Sequence, residues 1–177
     1  MIEIICAGYG GQGVLVAGNI LAFAGMESGR NITWYPSYGS EMRGGTANCS
    51  IKISDDEIAS PYVKAPDILI SMNEVSLDKF ENMVKQGGVL VVNSSLCSAD
   101  REFRSDIRVI RVPANDIANQ VGNSRGVNIA MLGAAVAASD AFNCEEFKKS
   151  IDNFFAKKGK KNPLNAVCFD EGSKYGK

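Results

Sequence analysis

Six residues near the N-terminus, Gly8-Tyr9-Gly10-Gly11-Gln12-Gly13, set the strongest limit on how this chain can fold. Residues 2–7 before them are a short apolar run, which reads as a buried first strand. From residue 12 to residue 26 the pattern becomes helical. Val14, Leu15, Ala17, Leu21 and Ala22 form an apolar stripe, and Gly29 supplies a C-terminal stop. Strand, glycine turn and helix in that order satisfy G-x-G-x-x-G in the context that gives the motif meaning. Glycine lets the backbone turn tightly and approach a phosphate, while free N–H groups at the helix start point outward. The dinucleotide form also wants an acidic residue about 20 positions further on. Thr33, Trp34, Tyr35 and Pro36 stand there instead, which disfavours NAD and leaves a phosphate-bearing ligand without that ribose grip. The same glycines would also serve close strand–helix packing, and residue chemistry alone leaves both readings open. With no Gly-Lys-Ser or Gly-Lys-Thr, a Walker-type triphosphate site has no support.

The rest of the chain continues the alternation. Residues 31–35 and 46–54 read as strands, the latter with Cys49, Ile51 and Ile53 on one side, and residues 36–45 as a polar, glycine-rich loop between them. Strands are expected at 67–72, 89–93 and 107–112, and helices at 77–85, 117–121, 127–139 and 145–158. Residues 162–177 fit either a last helix packed on the body or a partly mobile tail. This pattern predicts a three-layer α/β/α domain with a mostly parallel sheet. No helix separates the second and third strands, so one member should run antiparallel and make the sheet mixed. At 177 residues, without repeats or a linker, residues 1–177 read as one domain.

Composition narrows the chemistry. The chain has no histidine, so no Ser-His-Asp triad, Cys-His pair or histidine metal site can form within it. Its net charge of −1 argues against a nucleic-acid protein built on bulk electrostatics. The five cysteines Cys6, Cys49, Cys97, Cys144 and Cys168 contain no C-x-x-C pair and lack the clustering that zinc or iron–sulfur sites need. They read as reduced thiols of a cytoplasmic protein. Neither a secretory signal nor a membrane span is expected. The basic run Lys157-Lys158-Gly159-Lys160-Lys161 reads as a solvated helix end, with a partner or phosphate contact as the other reading.

A second constellation occupies residues 35–47. Aromatics, Glu41, Arg43 and the glycines 39, 44 and 45 are concentrated between two strands. Arg43 beside Gly44-Gly45 offers a permanently charged planar fork with open backbone around it, which suits phosphate or carboxylate recognition. Glu41 could instead hold Arg43 in a structural ion pair. Asn73, Asn93, Ser94 and Ser95 follow strand ends and are candidates for hydrogen bonds at the rim of a crevice.

Together the two constellations carry a resemblance. Gly8-x-Gly10-Gly11-Gln12-Gly13 with Val14, Ala17-Gly18 and Leu21-Ala22, then Tyr38-Gly39-x-Glu41-x-Arg43-Gly44-Gly45-Thr46-Ala47, resembles the gamma subunit of the 2-oxoacid:ferredoxin oxidoreductases. The likeness continues through Ser60-Pro61, Asp67-Ile68-Leu69-Ile70, Asn73, Gly87-Gly88 and Asn93-Ser94, and fits the alanine-rich stretch 128–138. The context around Tyr38 and Arg43 is most like the 2-oxoglutarate branch. Many relatives carry proline where Ser40 stands.

The resemblance implies a complex that decarboxylates a 2-oxoacid and passes the acyl group to coenzyme A. Thiamine diphosphate, magnesium and iron–sulfur clusters would belong to partner subunits, with ferredoxin or a similar acceptor taking the electrons. This chain has neither a thiamine-type Gly-Asp-Gly nor a ferredoxin cysteine run. The gamma part is associated with assembly and with the coenzyme A side of the site. The matched positions Gly8, Gly10, Gly11, Gln12, Gly13, Tyr38, Glu41, Arg43, Gly44 and Gly45 are therefore the candidate binding residues. No residue is assigned as catalytic, and the isolated chain should be inactive, exposing apolar patches and forming homodimers. A purely structural assembly role is the alternative, and the 2-oxoisovalerate and indolepyruvate branches lie close.

Overall fold

The structure, a computed structural model, describes residues 1–38 and 45–177. β1 (Ile2–Tyr9) leads into α1 (Val14–Glu27), followed by β2 (Asn31–Tyr38) and β3 (Thr46–Ser54). Then come β4 (Ile68–Ser71), α2 (Glu74–Phe80), β5 (Val89–Asn93) and β6 (Arg108–Val112). Four helices close the chain: α3 (Ala114–Val121), α4 (Val127–Ala137), α5 (Cys144–Ala156) and α6 (Leu164–Ser173). The strands form one sheet in the order β2-β3-β1-β4-β5-β6. β1, β4, β5 and β6 are parallel, whereas β3 runs antiparallel to both β1 and β2. The expected mixed α/β sheet is therefore present, with β3 as its reversed member.

The two faces of the sheet are covered unequally. Ile4 and Cys6 of β1 point to one side with Cys49, Ile51 and Ile53 of β3, and pack against α1, α3, α4, α5 and α6. Ile5 and Ala7 point to the other side and join Leu77 and Phe80 of α2 with Leu69, Leu90 and Val92. Burial on both faces explains why residues 2–7 read as a continuous apolar run rather than an alternating one.

Several boundaries differ from the sequence expectation. β2 runs to Tyr38 and includes Pro36, which was expected to open a loop. β2 is an edge strand with β3 as its one neighbour, and an edge tolerates a residue without an N–H. α2 begins at Glu74 rather than at residue 77, because Asn73 caps it by accepting from the Ser76 N–H at 2.9 Å. It ends at Phe80, and a single 3₁₀ turn (Glu81–Met83) replaces the expected last turn. The C-terminal segment forms α6 and packs against α4. Among the described residues no helix is long and apolar enough to cross a membrane.

Candidate functional site

The glycine turn is locked by its own side chain. The Tyr9 N–H donates to Gln12 Oε1 at 2.7 Å, and Asn73 Nδ2 donates to the same oxygen at 2.9 Å. With Oε1 occupied twice, Gln12 Nε2 is left without an acceptor among the described residues, and Gln12 lines a cleft. Gly11 (φ 97°) and Gly13 (φ 76°) take the left-handed backbone that favours glycine. Gly13 starts α1 with no side-chain cap. No acceptor among the described residues takes the Gly11 or Gly13 N–H, so the helix start keeps its free donors.

The expected site residues separate by role. Gly11, Gln12 and Gly13 line the cleft. Gly8 does not; a Cβ there would lie 2.7 Å from both Met72 Cβ and Gln12 Oε1, so this glycine permits close packing. The Gly10 N–H is spent on the Gly45 carbonyl at 3.1 Å, which places Gly45 beside the turn. The Tyr38 backbone pairs opposite Ala47 at the end of β2. Glu41, Arg43 and Gly44 lie outside the described residues.

The cleft measures about 590 Å³, within the range of small-molecule sites. Four helices begin at it. Gly13 opens α1, Asn115 sits in the first turn of α3, Val127 and Asn128 open α4, and Asn165 sits in the first turn of α6. Each helix start brings the positive end of a macrodipole, although at α6 the Leu164 and Asn165 N–H groups are already taken by Asn162. Arg125 and Lys160 add two full positive charges, and no carboxylate lines the cleft among the described residues. Asn128, 5% exposed, donates Nδ2 to the Gly13 carbonyl at 3.1 Å, which leaves its Oδ1 as an acceptor at the cleft floor. Val16, Val127 and Phe155 also line the cleft. This arrangement suits a polyanion that also carries a neutral hydrogen-bond donor.

The basic run after α5 splits. The Lys157 ammonium sits 4.4 Å from the Phe23 ring centre and Lys158 sits 4.1 Å from that of Phe154, while Lys160 faces the cleft. Asn93, fully buried, donates to Asn115 Oδ1 at 2.8 Å and so supports the cleft wall from behind. Ser95 donates to Asp116 at 2.9 Å and does not line the cleft. Asn115, Asn123, Arg125, Asn128 and Asn165 were not singled out by the sequence, whereas Lys160 lay in the basic run whose second reading was a phosphate or partner contact. The signal available was asparagine recurring at successive helix starts.

Three of the thiols are held in the protonated form. Burial, then the Glu74 carboxylate, pushes the Cys97 thiol up to about 11. The neighbouring Cys49 thiol and burial push Cys6 up as well, and burial raises Cys168 against a hydrogen bond from Asn123. Thiols held protonated are poor nucleophiles and poor metal ligands. No group of three His, Cys, Asp or Glu side chains converges among the described residues. Among the described residues the cleft lining includes no carboxylate, thiol or imidazole, and its groups can bind, orient and hold.

The chain is 38% identical over 173 residues to ketoisovalerate oxidoreductase subunit VorA of Methanothermobacter marburgensis, covering 97% of this chain and 36% of that one. The chain thus spans about a third of the length of that relative. It is 34% identical over 151 residues to 2-oxoglutarate synthase subunit KorC of Methanocaldococcus jannaschii, covering 84% and 81%. The crystal structure of a keto/oxoacid ferredoxin oxidoreductase gamma subunit from Geobacter sulfurreducens superposes with a TM-score of 0.79 at 29% identity, covering 99% and 98%. The family model described as pyruvate ferredoxin/flavodoxin oxidoreductase matches residues 3–175, and the chain belongs to that family.

Proposed function

We propose that the chain works as the gamma-type subunit of a 2-oxoacid:ferredoxin oxidoreductase complex and contributes to coenzyme A binding and to assembly. The complex oxidatively decarboxylates its 2-oxoacid to the acyl-coenzyme A. The observation that carries this reading is the cleft: four helix starts and two cations around a glycine turn, with no carboxylate in the lining among the described residues. Coenzyme A carries a pyrophosphate, a ribose phosphate and amide donors, which match the free N–H groups, the cations and the Asn128 acceptor. The nucleotide end fits the cleft, and the arm that bears the thiol extends to a reaction centre on partner chains.

Thiamine diphosphate with magnesium supplies carbanion chemistry on a partner subunit, and iron–sulfur clusters on partners deliver electrons to ferredoxin or a similar acceptor. This chain holds and positions the acyl acceptor. Arg43, with Tyr38, Glu41, Gly44 and Gly45, acts with the glycine turn in that binding. We take 2-oxoglutarate as the substrate, supported by the likeness to KorC over most of the length of that subunit. Ketoisovalerate is the second reading, favoured by the higher identity to VorA. The complex works in the cytoplasm.

The test is steady-state kinetics on the complex purified through a tag on this chain. Coenzyme A should be required for turnover, 2-oxoglutarate should give the highest kcat/KM among 2-oxoacids, and this chain alone should give no turnover. Arg43→Ala should raise KM for coenzyme A by about tenfold. An unchanged KM and kcat would remove Arg43 from the site.

A further inference from the structure

We propose that Arg125, Lys160 and Asn165 form a second phosphate subsite, built from elements other than the glycine turn, that recognises the phosphomonoester on the ligand's ribose. The proposal rests on the coenzyme A assignment above and names which residues read which phosphate.

A chain of amides fixes the polarity of this corner. The Leu164 backbone N–H can only donate, and it donates to Asn162 Oδ1 at 3.1 Å. Asn162 must therefore present Nδ2 onward, and it donates to Asn123 Oδ1 at 3.3 Å. Asn123, 6% exposed, then donates Nδ2 to Asn165 Oδ1 at 3.0 Å. Every O and N assignment along this chain follows from one backbone donor. The last member, Asn165, is 7% exposed and lines the cleft, and its Nδ2 has no acceptor among the described residues. A donor of fixed polarity on a buried side chain, opening into the cleft, is placed to meet an acceptor from a ligand.

The charges at this corner point the same way. The described arginines at 30, 101, 104, 108 and 111 each donate to a protein acceptor. Arg125 has no such acceptor among the described residues and faces the cleft, with Lys160 on the loop after α5. Two cations and a neutral N–H donor suit a phosphomonoester dianion better than a single carboxylate. The glycine turn offers backbone N–H groups and no charged side chain, which suits the bridging pyrophosphate.

The test compares coenzyme A with 3′-dephospho-coenzyme A by calorimetric titration of the complex isolated through this chain. Wild type should bind coenzyme A about 30-fold more tightly than the dephospho form. Arg125→Gln with Lys160→Gln should erase the preference, weakening coenzyme A binding far more than dephospho binding. Asn165→Asp, which puts an anion at the end of the amide chain, should also abolish the preference. Equal binding of both ligands by wild type, or a preference that survives in the double variant, overturns the second subsite and leaves the coenzyme A assignment standing. Failure of the wild-type complex to bind coenzyme A at all overturns both.

Discussion

Two sets of glycines in this molecule do opposite things. At Gly11 a Cβ would meet nothing within 4 Å, because the residue borders open space at the cleft. At Gly172 of α6 a Cβ would fall on the Ala130 carbonyl of α4, and at Gly133 of α4 it would fall on the Phe169 carbonyl of α6. The α4–α6 glycines let two helix backbones approach closely, so their loss should act on folding. The turn glycines create a left-handed backbone beside an opening, so their loss should act on what enters the opening. The same residue type is thus spent on packing in one region and on access in the other.

Gly172→Ala should break the packing region hardest. Overfilling a backbone contact that cannot yield should cost about 3 kcal/mol, read as a drop in the urea unfolding midpoint. Gly13→Ala comes next, because it strains a positive φ by about 1–2 kcal/mol and its Cβ would press on the Asn128 amide, 2.7 Å away. It should lower both stability and coenzyme A affinity. Gly11→Ala should separate the two effects: a stability loss of about 1 kcal/mol from its φ, with coenzyme A affinity down about tenfold. Equal losses in stability and affinity for Gly11→Ala and Gly172→Ala would erase the distinction between the regions.

The smallest effect lies in the acid range and far from the cleft. Glu3 meets Lys52 at 2.9 Å and Lys85 at 3.1 Å. Burial works to raise its carboxyl, but the two lysines prevail and hold it below its ordinary value of 4.5. Because the folded value is the lower one, its contribution to stability is complete above about pH 4.5 and is lost as pH falls through the folded value. Glu3→Gln should flatten the fall of the unfolding midpoint below pH 4.5 and leave coenzyme A binding unchanged.

How much of this was legible in the sequence depends on how local each feature is. β1, the glycine turn and α1 are contiguous, and each leaves a local mark: an apolar run, a glycine motif and an apolar stripe. The reversed β3 was legible because no helical pattern separates it from β2. Pro36 misled, since proline breaks a strand everywhere except at an edge, and edge position is a property of the finished sheet. The cleft was half legible. Its glycine side is one motif, but Asn115, Arg125, Asn128, Lys160 and Asn165 come from separate segments that meet only because four helices start at one place. Lys160 was visible within a basic run, yet nothing in that run says that Lys157 and Lys158 cover phenylalanine rings while Lys160 faces the cleft.

The central claim is that the turn and its cleft hold the phosphates of coenzyme A. Its most direct test is a calorimetric titration of the complex with coenzyme A, in wild type and in Gly11→Ala, each with inorganic pyrophosphate as competitor. Saturable binding that pyrophosphate displaces, weakened in a Gly11→Ala complex that remains folded and assembled, is the predicted result. Coenzyme A binding that ignores both pyrophosphate and the substitution would contradict the account.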